Sequence, residues 1–181
     1  MQYISTRGQM APKTFTEILI DGLASDGGLV VPEEIPHLDI QDIEALRTLT
    51  YPELAAQVIG MFATDIPRED LVTLTEEAYS VERFEAPDVV PLTKLDDDIT
   101  LVGLSEGPTL AFKDLAMQFL GQVIPYVLKK TDRVLNIVGA TSGDTGSAAE
   151  HAFRGVDNVN VFMLSPLGRM SEVQRAQMYT V

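Results

Sequence analysis

Apolar and polar residues alternate along this chain with two different rhythms. Up to about residue 91, apolar residues recur every three or four positions, which is the spacing of helices that bury one face. From residue 92 onwards, short apolar runs alternate with longer helical patterns. This change predicts a mainly helical amino-terminal domain over residues 1–91 and an α/β domain over residues 92–181.

The helices predicted in the first part have recognisable starts. Thr14 is followed three residues later by Glu17, which is the spacing of a capping box, so a helix is expected to begin after Thr14. Pro52 suits the first turn of a helix over residues 51–63, and Pro67 suits the start of another. One more helix is predicted at residues 40–49.

The second part alternates strands with helices. Strands are predicted at residues 100–104, 134–138 and 159–164, and helices at residues 112–130, 145–155 and 171–179. This order is typical of a parallel sheet with right-handed crossovers, in which all strand-to-helix loops lie at the carboxyl edge. The loops after the first two strands are therefore expected to meet. Residues 134–138 alternate little, which predicts a strand covered on both faces. Pro125 predicts a kink or an early end in the long helix.

The composition narrows the class of protein. The chain has 27 acidic and 13 basic residues, and its formal net charge of −14 argues against nucleic acid or an anionic membrane as a partner. With no cysteine and only two histidines, no disulfide and no metal site is predicted. The chain shows no signal-peptide core and no apolar run of membrane-spanning length, so the expected location is the cytoplasm.

One lysine stands where a surface lysine is electrostatically unfavourable. Lys113 lies near the end of the segment 106–114, which leads into the predicted long helix, and the start of a helix favours anions over cations. Lysine attacks an aldehyde only as the neutral amine, and burial at a positive helix end favours that form. The alternative is a surface lysine that pairs with Asp114, with its apolar stem packed at the helix end.

A second loop has the composition of an anion site. Residues 139–146 contain three glycines, three hydroxyl residues and Asp144. Glycines let a ligand approach the backbone, and a helix start offers free amides to a carboxylate or a phosphate. The alternative is an ordinary connection capped by Asp144 or Thr145. The loop has neither the Walker nor the dinucleotide-binding spacing. Together, the lysine and this loop suggest a pyridoxal-phosphate enzyme.

Both loops, together with residues 3–8 and 21–32, resemble the threonine synthases, a family of fold-type-II pyridoxal-phosphate enzymes. The resemblance implies a three-layer parallel α/β sheet of the tryptophan synthase β class. It also implies a carbon–oxygen lyase of threonine biosynthesis that acts on phosphates, with pyridoxal 5'-phosphate as its cofactor. The substrate would be O-phospho-L-homoserine, which reacts with water to give L-threonine and phosphate.

The same resemblance suggests roles for individual residues. Lys113 would be the Schiff-base lysine and would move protons during catalysis. The other residues expected to contact the cofactor are Ser142, Gly143, Asp144 and Thr145, although the role of Asp144 is left open. The residues expected to contact the substrate are Thr109, Thr141, Ser142, Thr145 and Arg169. Beside Arg169, Ser171 and Gln174 have the spacing of a capping box.

Other interpretations remain open at this point. The protein could be another fold-type-II enzyme, such as a serine or threonine dehydratase, or a non-catalytic relative that binds anions. The cofactor-phosphate loop of the family is not found, so we expect the chain to be the amino-terminal part of a longer enzyme and to be inactive alone. The oligomeric state is not determined by the sequence.

Overall fold

The computed structural model describes residues 1–129, 131 and 133–180. The chain forms two compact units, one from Met1 to Glu76 and one that begins at Glu77. These units are defined by contacts within the chain, whereas the predicted domains were defined by the spacing of apolar residues along the sequence. The predicted boundary near residue 91 therefore stays a prediction.

The first unit is built mainly from helices. Its elements are β1 (Tyr3–Ser5), α1 (Phe15–Asp21), β2 (Val30–Pro32), α2 (Ile40–Leu46), α3 (Tyr51–Gly60) and α4 (Arg68–Ala78), the last of which ends just beyond the unit. The strands β1 and β2 pair antiparallel, with Tyr3 opposite Pro32. The helix α1 begins where the capping pattern predicts, because the Glu17 carboxylate accepts the backbone N–H and the hydroxyl of Thr14, both at 2.8 Å.

Asp26 ties the start of the chain to the turn before β2. Its carboxylate accepts the hydroxyl of Ser5 at 2.6 Å and the backbone N–H groups of Gly28 and Gln9, both at 2.9 Å. A Cβ atom at Gly28 would lie 2.2 Å from the Ser5 hydroxyl oxygen, so this close packing requires glycine. The hydrogen bonds from Ser5, Gly28 and Gln9 favour the ionised carboxylate and lower the pKa of Asp26.

This lowered pKa predicts a loss of stability in acid. A carboxyl group with a depressed folded-state pKa stabilises the fold above its unfolded pKa of about 3.9, and this contribution is lost as the pH falls through the folded value. We expect Asp26→Asn to destabilise the protein at neutral pH and to flatten the fall in stability below about pH 4. Urea unfolding of both proteins across this range measures the two slopes. Equal acid slopes would contradict the prediction.

The second unit contains two hairpin strands and a small parallel α/β layer. Its elements are β3 (Leu92–Lys94), β4 (Thr100–Val102), α5 (Asp114–Leu128), β5 (Leu135–Ala140), α6 (Asp144–Phe153), β6 (Val159–Leu164) and α7 (Glu172–Tyr179). The strands β5 and β6 pair in parallel, from Leu135 opposite Val159 to Ala140 opposite Leu164. Their crossover through α6 agrees with the predicted topology, and Gly155, after α6, has the positive φ of 69° that suits the end of a helix.

The prediction that residues 100–104 join the parallel sheet is wrong. The strand β4 pairs antiparallel with β3, with Leu92 opposite Val102 and Lys94 opposite Thr100. Only a short turn separates the two strands, and a parallel crossover needs about a dozen residues or more. The Asp96 carboxylate closes this turn by accepting the N–H groups of Asp98 at 2.9 Å and Ile99 at 2.8 Å. No three-layer parallel sheet is present in the described part of the chain.

The strand β5 is also less covered than predicted. Exposure alternates along it, and Val138 is 70% exposed.

The helix α5 runs through Pro125 and ends at Leu128. It packs closely on α6, because a Cβ atom at Gly121 would lie only 2.6 Å from the Ala152 carbonyl oxygen. Within the described residues, no helix is both long enough and apolar enough to span a bilayer.

Candidate active site

The turn that leads into α5 is held by a buried carboxylate. Asp114 is 0% exposed, and it accepts the backbone N–H of Thr109 at 2.9 Å and the Thr109 hydroxyl at 2.8 Å. Gly107 lies directly against this carboxylate, since a Cβ atom there would be 2.4 Å from the Asp114 Cβ. The conformation of this turn is therefore fixed by contacts among Gly107, Thr109 and Asp114.

Within this turn, the backbone adopts an unfavourable conformation. Leu110 has a φ of 57°, in the left-handed region, and its N–H donates to the Gly107 carbonyl at 3.0 Å. A residue with a Cβ atom pays about 1–2 kcal/mol for this conformation. Such strain persists where the surrounding contacts hold it, and it occurs often at functional sites. Here, the Thr109–Asp114 hydrogen bonds supply those contacts.

Lys113 occupies the position immediately before α5. It is half-buried, and its Nζ atom lies 4.5 Å from the centre of the Phe112 ring. The alternative of a Lys113–Asp114 ion pair is not observed, because the Asp114 oxygens bond Thr109. Lys113 takes part in none of the ion pairs found among the described residues. Its amine is thus not engaged by a carboxylate in this part of the chain.

The second loop folds around the hydroxyl of Thr141. The Oγ1 atom of Thr141 accepts the N–H groups of Gly143 and Gly146, both at 3.1 Å. A Cβ atom at Gly146 would lie 2.3 Å from the Thr141 methyl carbon, so this inward fold requires glycine. The side chains of Ser142 and Thr145 remain exposed at the start of α6 and form no hydrogen bond within the described residues. These hydroxyls and the first amides of α6 are donors of the kind that an anion could accept.

The helix α7 connects the two loops. Gln177 donates its side-chain N–H to the Thr109 carbonyl at 2.7 Å, and Gln174 donates its side-chain N–H to Asp144 Oδ1 at 3.0 Å. These glutamines are three residues apart, which is about 4.5 Å along a helix axis. The sequence led us to expect the loops to meet through neighbouring strands of one sheet. In the structure, side chains of α7 link them.

Gln177 was not identified from the sequence, and Gln174 was identified only as part of a cap. That cap is confirmed, because the Gln174 N–H donates to the Ser171 hydroxyl and the Ser171 N–H donates to Gln174 Oε1, both at 3.2 Å. The signal that could have identified both residues is a pair of amides one turn apart. They lie on a helix that begins at the same sheet edge as the second loop.

Arg169 lies in the connection between β6 and α7. Because β5 and β6 are parallel, this connection shares the carboxyl edge with the Thr141 loop, and the Thr141 N–H donates to the Leu164 carbonyl at 2.9 Å. The Arg169 side chain is exposed. The β5–α6 loop and Arg169 are therefore brought to one edge of the sheet, as predicted.

Thr109 and Thr141 have structural tasks that the sequence did not indicate. Thr109 is 3% exposed, and its hydroxyl donates a hydrogen bond to Asp114. The Thr141 hydroxyl oxygen accepts hydrogen bonds from two backbone N–H groups of its own loop. A direct contact of Thr109 with a substrate would require its bond to Asp114 to break. Contacts with a ligand stay predictions for all the candidate residues, namely Lys113, Thr109, Thr141, Ser142, Gly143, Asp144, Thr145 and Arg169. Among the described residues, no group of three or more acidic or histidine side chains could hold a metal ion.

Comparison with known proteins finds similar chains in one family of enzymes. A family model described as "Threonine synthase N terminus" matches residues 2–79. A curated threonine synthase from Corynebacterium glutamicum is 50% identical over 184 residues, which cover 99% of this chain and 38% of that protein. A crystal structure of threonine synthase with bound PLP from Brucella melitensis superposes with a TM-score of 0.90 at 45% identity, over 98% of this chain and 38% of that one. The yeast threonine synthase structure has a TM-score of 0.90 at 38% identity, over 99% of this chain and 38% of its own.

The relatives that carry this fold are thus enzymes of a single class, consistent with fold type II. The chain belongs to the threonine synthase family. It spans about 38% of the length of the relatives it matches.

Proposed function

We propose that this chain supplies the lysine and the anion-binding loop of a pyridoxal-phosphate-dependent threonine synthase. The enzyme would convert O-phospho-L-homoserine and water to L-threonine and phosphate. The observation that carries the proposal is the linkage of the Lys113 turn to the loop at the start of α6, made by two amides of α7. The chain spans 38% of its relatives, so the activity is that of the complete enzyme, and we expect this chain alone to be inactive.

The residues present fit pyridoxal phosphate as the cofactor. Lys113 offers an amine that no carboxylate engages within the described residues, next to a turn with little freedom to move. Ser142 and Thr145 offer exposed hydroxyls beside the free amides of a helix start. Bound there, the cofactor would supply the electron sink for chemistry at carbon atoms next to the amino group.

In this proposal, the residues of the chain bind, orient and move protons. The Ser142 and Thr145 hydroxyls, with the first amides of α6, bind the substrate carboxylate. The Lys113 Nζ takes and returns protons at the substrate carbons as the C–O bond to phosphate breaks and water adds. Arg169, at the same sheet edge, supplies positive charge for the leaving phosphate. Thr109 and Thr141 act through the loops that they shape.

The larger architecture forms part of the same proposal. Val138 and Phe162 are register partners on β5 and β6, and Leu164 lies two residues beyond on the same face. These side chains are 70%, 56% and 67% exposed. Such an apolar face supports a place for β5 and β6 in a larger three-layer parallel sheet. We propose the cytoplasm as the location, with domains at residues 1–91 and 92–181.

The reaction can be tested on the complete enzyme with O-phosphohomoserine. We expect phosphate and threonine to appear in equal amounts, because each C–O cleavage is followed by one addition of water. Serine and threonine, tested in parallel, should release no ammonia. Ammonia and a 2-oxo acid from either amino acid, without phosphate release, would identify a dehydratase instead. Absence of any product, with the cofactor bound, would favour a non-catalytic relative.

A further inference from the structure

The helix α7 presents one face to both candidate loops. Gln174, Gln177 and Met178 have the i, i+3, i+4 spacing that places residues on a single helix face. Gln177 reaches the Thr109 carbonyl in the lysine turn, whereas Gln174 reaches the Asp144 carboxylate at the start of α6. Met178 is 5% exposed, and its methyl carbon would lie 3.1 Å from a Cβ atom at Gly146. One rigid element therefore contacts both loops.

The chemistry of the acceptors fixes how these amides are oriented. The Thr109 carbonyl oxygen can only accept a hydrogen bond, so the Gln177 atom that faces it is the amide nitrogen. An ionised Asp144 carboxylate also only accepts, so the same argument orients Gln174. The other end of the Gln174 amide accepts the N–H and the hydroxyl of Ser171, both at 3.2 Å. Gln174 is therefore held at both ends.

The second loop is shaped to receive Gln174. Gly143 has a φ of 154°, and a Cβ atom there would lie 2.5 Å from the Gln174 Cδ and 2.6 Å from its Nε2. No residue with a side chain leaves room for this amide. The glycine that precedes α6 thus makes space for a side chain of α7.

We propose that Gln174 and Gln177 are positioning residues of the reaction assigned above. Gln177 fixes the turn that carries Lys113, because it bonds the carbonyl of Thr109, the residue whose N–H and hydroxyl Asp114 accepts. Gln174 fixes the direction of the Asp144 carboxylate, because its amide N–H donates to Asp144 Oδ1. This inference rests on the proposed function of the site, and it gives Asp144 a defined orientation.

The two glutamines are expected to act on different kinetic constants. Loss of the Gln177 bond frees the lysine turn, so kcat should fall while the KM for O-phosphohomoserine changes little. Loss of the Gln174 bond frees Asp144 beside the carboxylate-binding loop, so KM should rise. A displacement of about 1 Å in a catalytic group can cost on the order of a hundredfold, and we expect effects of about tenfold to a hundredfold.

The test uses the complete enzyme and three methionine variants of one helix. Gln174→Met and Gln177→Met remove a donor with little change in side-chain volume, and Arg175→Met is the control because its side chain is exposed. Gln177→Lys restores a donor of similar reach and should recover most of kcat. Besides kcat and KM, the visible absorption band of the bound cofactor and its pH dependence are measured. Unfolding in urea shows whether a variant is simply destabilised.

Each outcome decides between the proposals. A shifted absorption band with the kcat and KM split described above supports the positioning roles. Variants that match Arg175→Met in the band and in both kinetic constants, with or without lower stability, would show that α7 is only structural. If the unsubstituted enzyme binds no pyridoxal phosphate and forms no threonine, the proposed function itself fails. If it does both while the variants stay unchanged, only the positioning inference fails.

Discussion

Replacement of Lys113 by alanine is expected to abolish threonine formation by the complete enzyme and to remove the visible absorption band of the bound cofactor. The reason is that, in the proposed function, one amine serves both as the covalent anchor and as the proton carrier. Proton transfer by a positioned side chain contributes about 10²–10⁴-fold on its own, and loss of the covalent link adds to this. No other lysine is placed in either of the two linked loops.

Two further variants separate the chemistry of Lys113 from its charge. Lys113→Arg keeps a positive charge that can lie over the Phe112 ring, but arginine does not give up its proton in proteins, so this variant should be as inactive as Lys113→Ala. Lys129→Ala is the matched control, because Lys129 follows the other end of α5 and is exposed. It should keep both the absorption band and the activity. A band that survives in Lys113→Ala removes Lys113 from the anchoring role.

The largest expected effect on stability comes from Asp114→Ala. Asp114 is fully buried and is the acceptor for both the N–H and the hydroxyl of Thr109. Its removal leaves two buried donors without partners, and each costs about 1–3 kcal/mol. We expect the free energy of unfolding to fall by about 2–6 kcal/mol, and we expect the strained Leu110 conformation to relax. Urea unfolding monitored by circular dichroism measures the loss.

The control for this experiment is another aspartate of the second unit. The side chain of Asp97 is 98% exposed and pairs with Lys94, which is 64% exposed, so Asp97→Ala should change stability by less than about 1 kcal/mol. Thr109→Val combined with Asp114→Ala removes the hydroxyl together with its acceptor and should cost less than the sum of the two single changes. Additive losses, or an Asp114→Ala variant as stable as Asp97→Ala, would mean that these bonds do not hold the turn.

Local signals in the sequence predicted the parts of the fold that depend on local contacts. Thr14 with Glu17, and Ser171 with Gln174, start their helices as predicted, because a capping box involves residues only three positions apart. The loop between β5 and α6 was also found from its own composition. Two of its glycines, Gly143 and Gly146, are required because a Cβ atom at either position would collide with the side chain of Gln174 or of Thr141, respectively.

Features that depend on distant partners could not be obtained in the same way. The apolar run at β4 has the composition of a parallel strand, and its pairing with β3 depends on the Asp96 turn rather than on its own pattern. Nothing in the sequence around Thr109 indicates that its hydroxyl donates to Asp114 or that its carbonyl accepts the side-chain N–H of Gln177. The turn that carries Lys113 and the loop between β5 and α6 are therefore connected through a helix that begins almost 60 residues after Lys113. A local sequence pattern cannot predict a contact over such a separation.

Identification of the lysine that carries the cofactor tests the central claim most directly. The complete enzyme is loaded with pyridoxal phosphate and reduced with borohydride, so that the bond between lysine and cofactor becomes permanent, and its peptides are then sequenced by mass spectrometry. The account predicts the pyridoxyl group on Lys113, in the peptide that contains Thr109 and Asp114. A pyridoxyl group on any other lysine, with Lys113 unmodified, would contradict it.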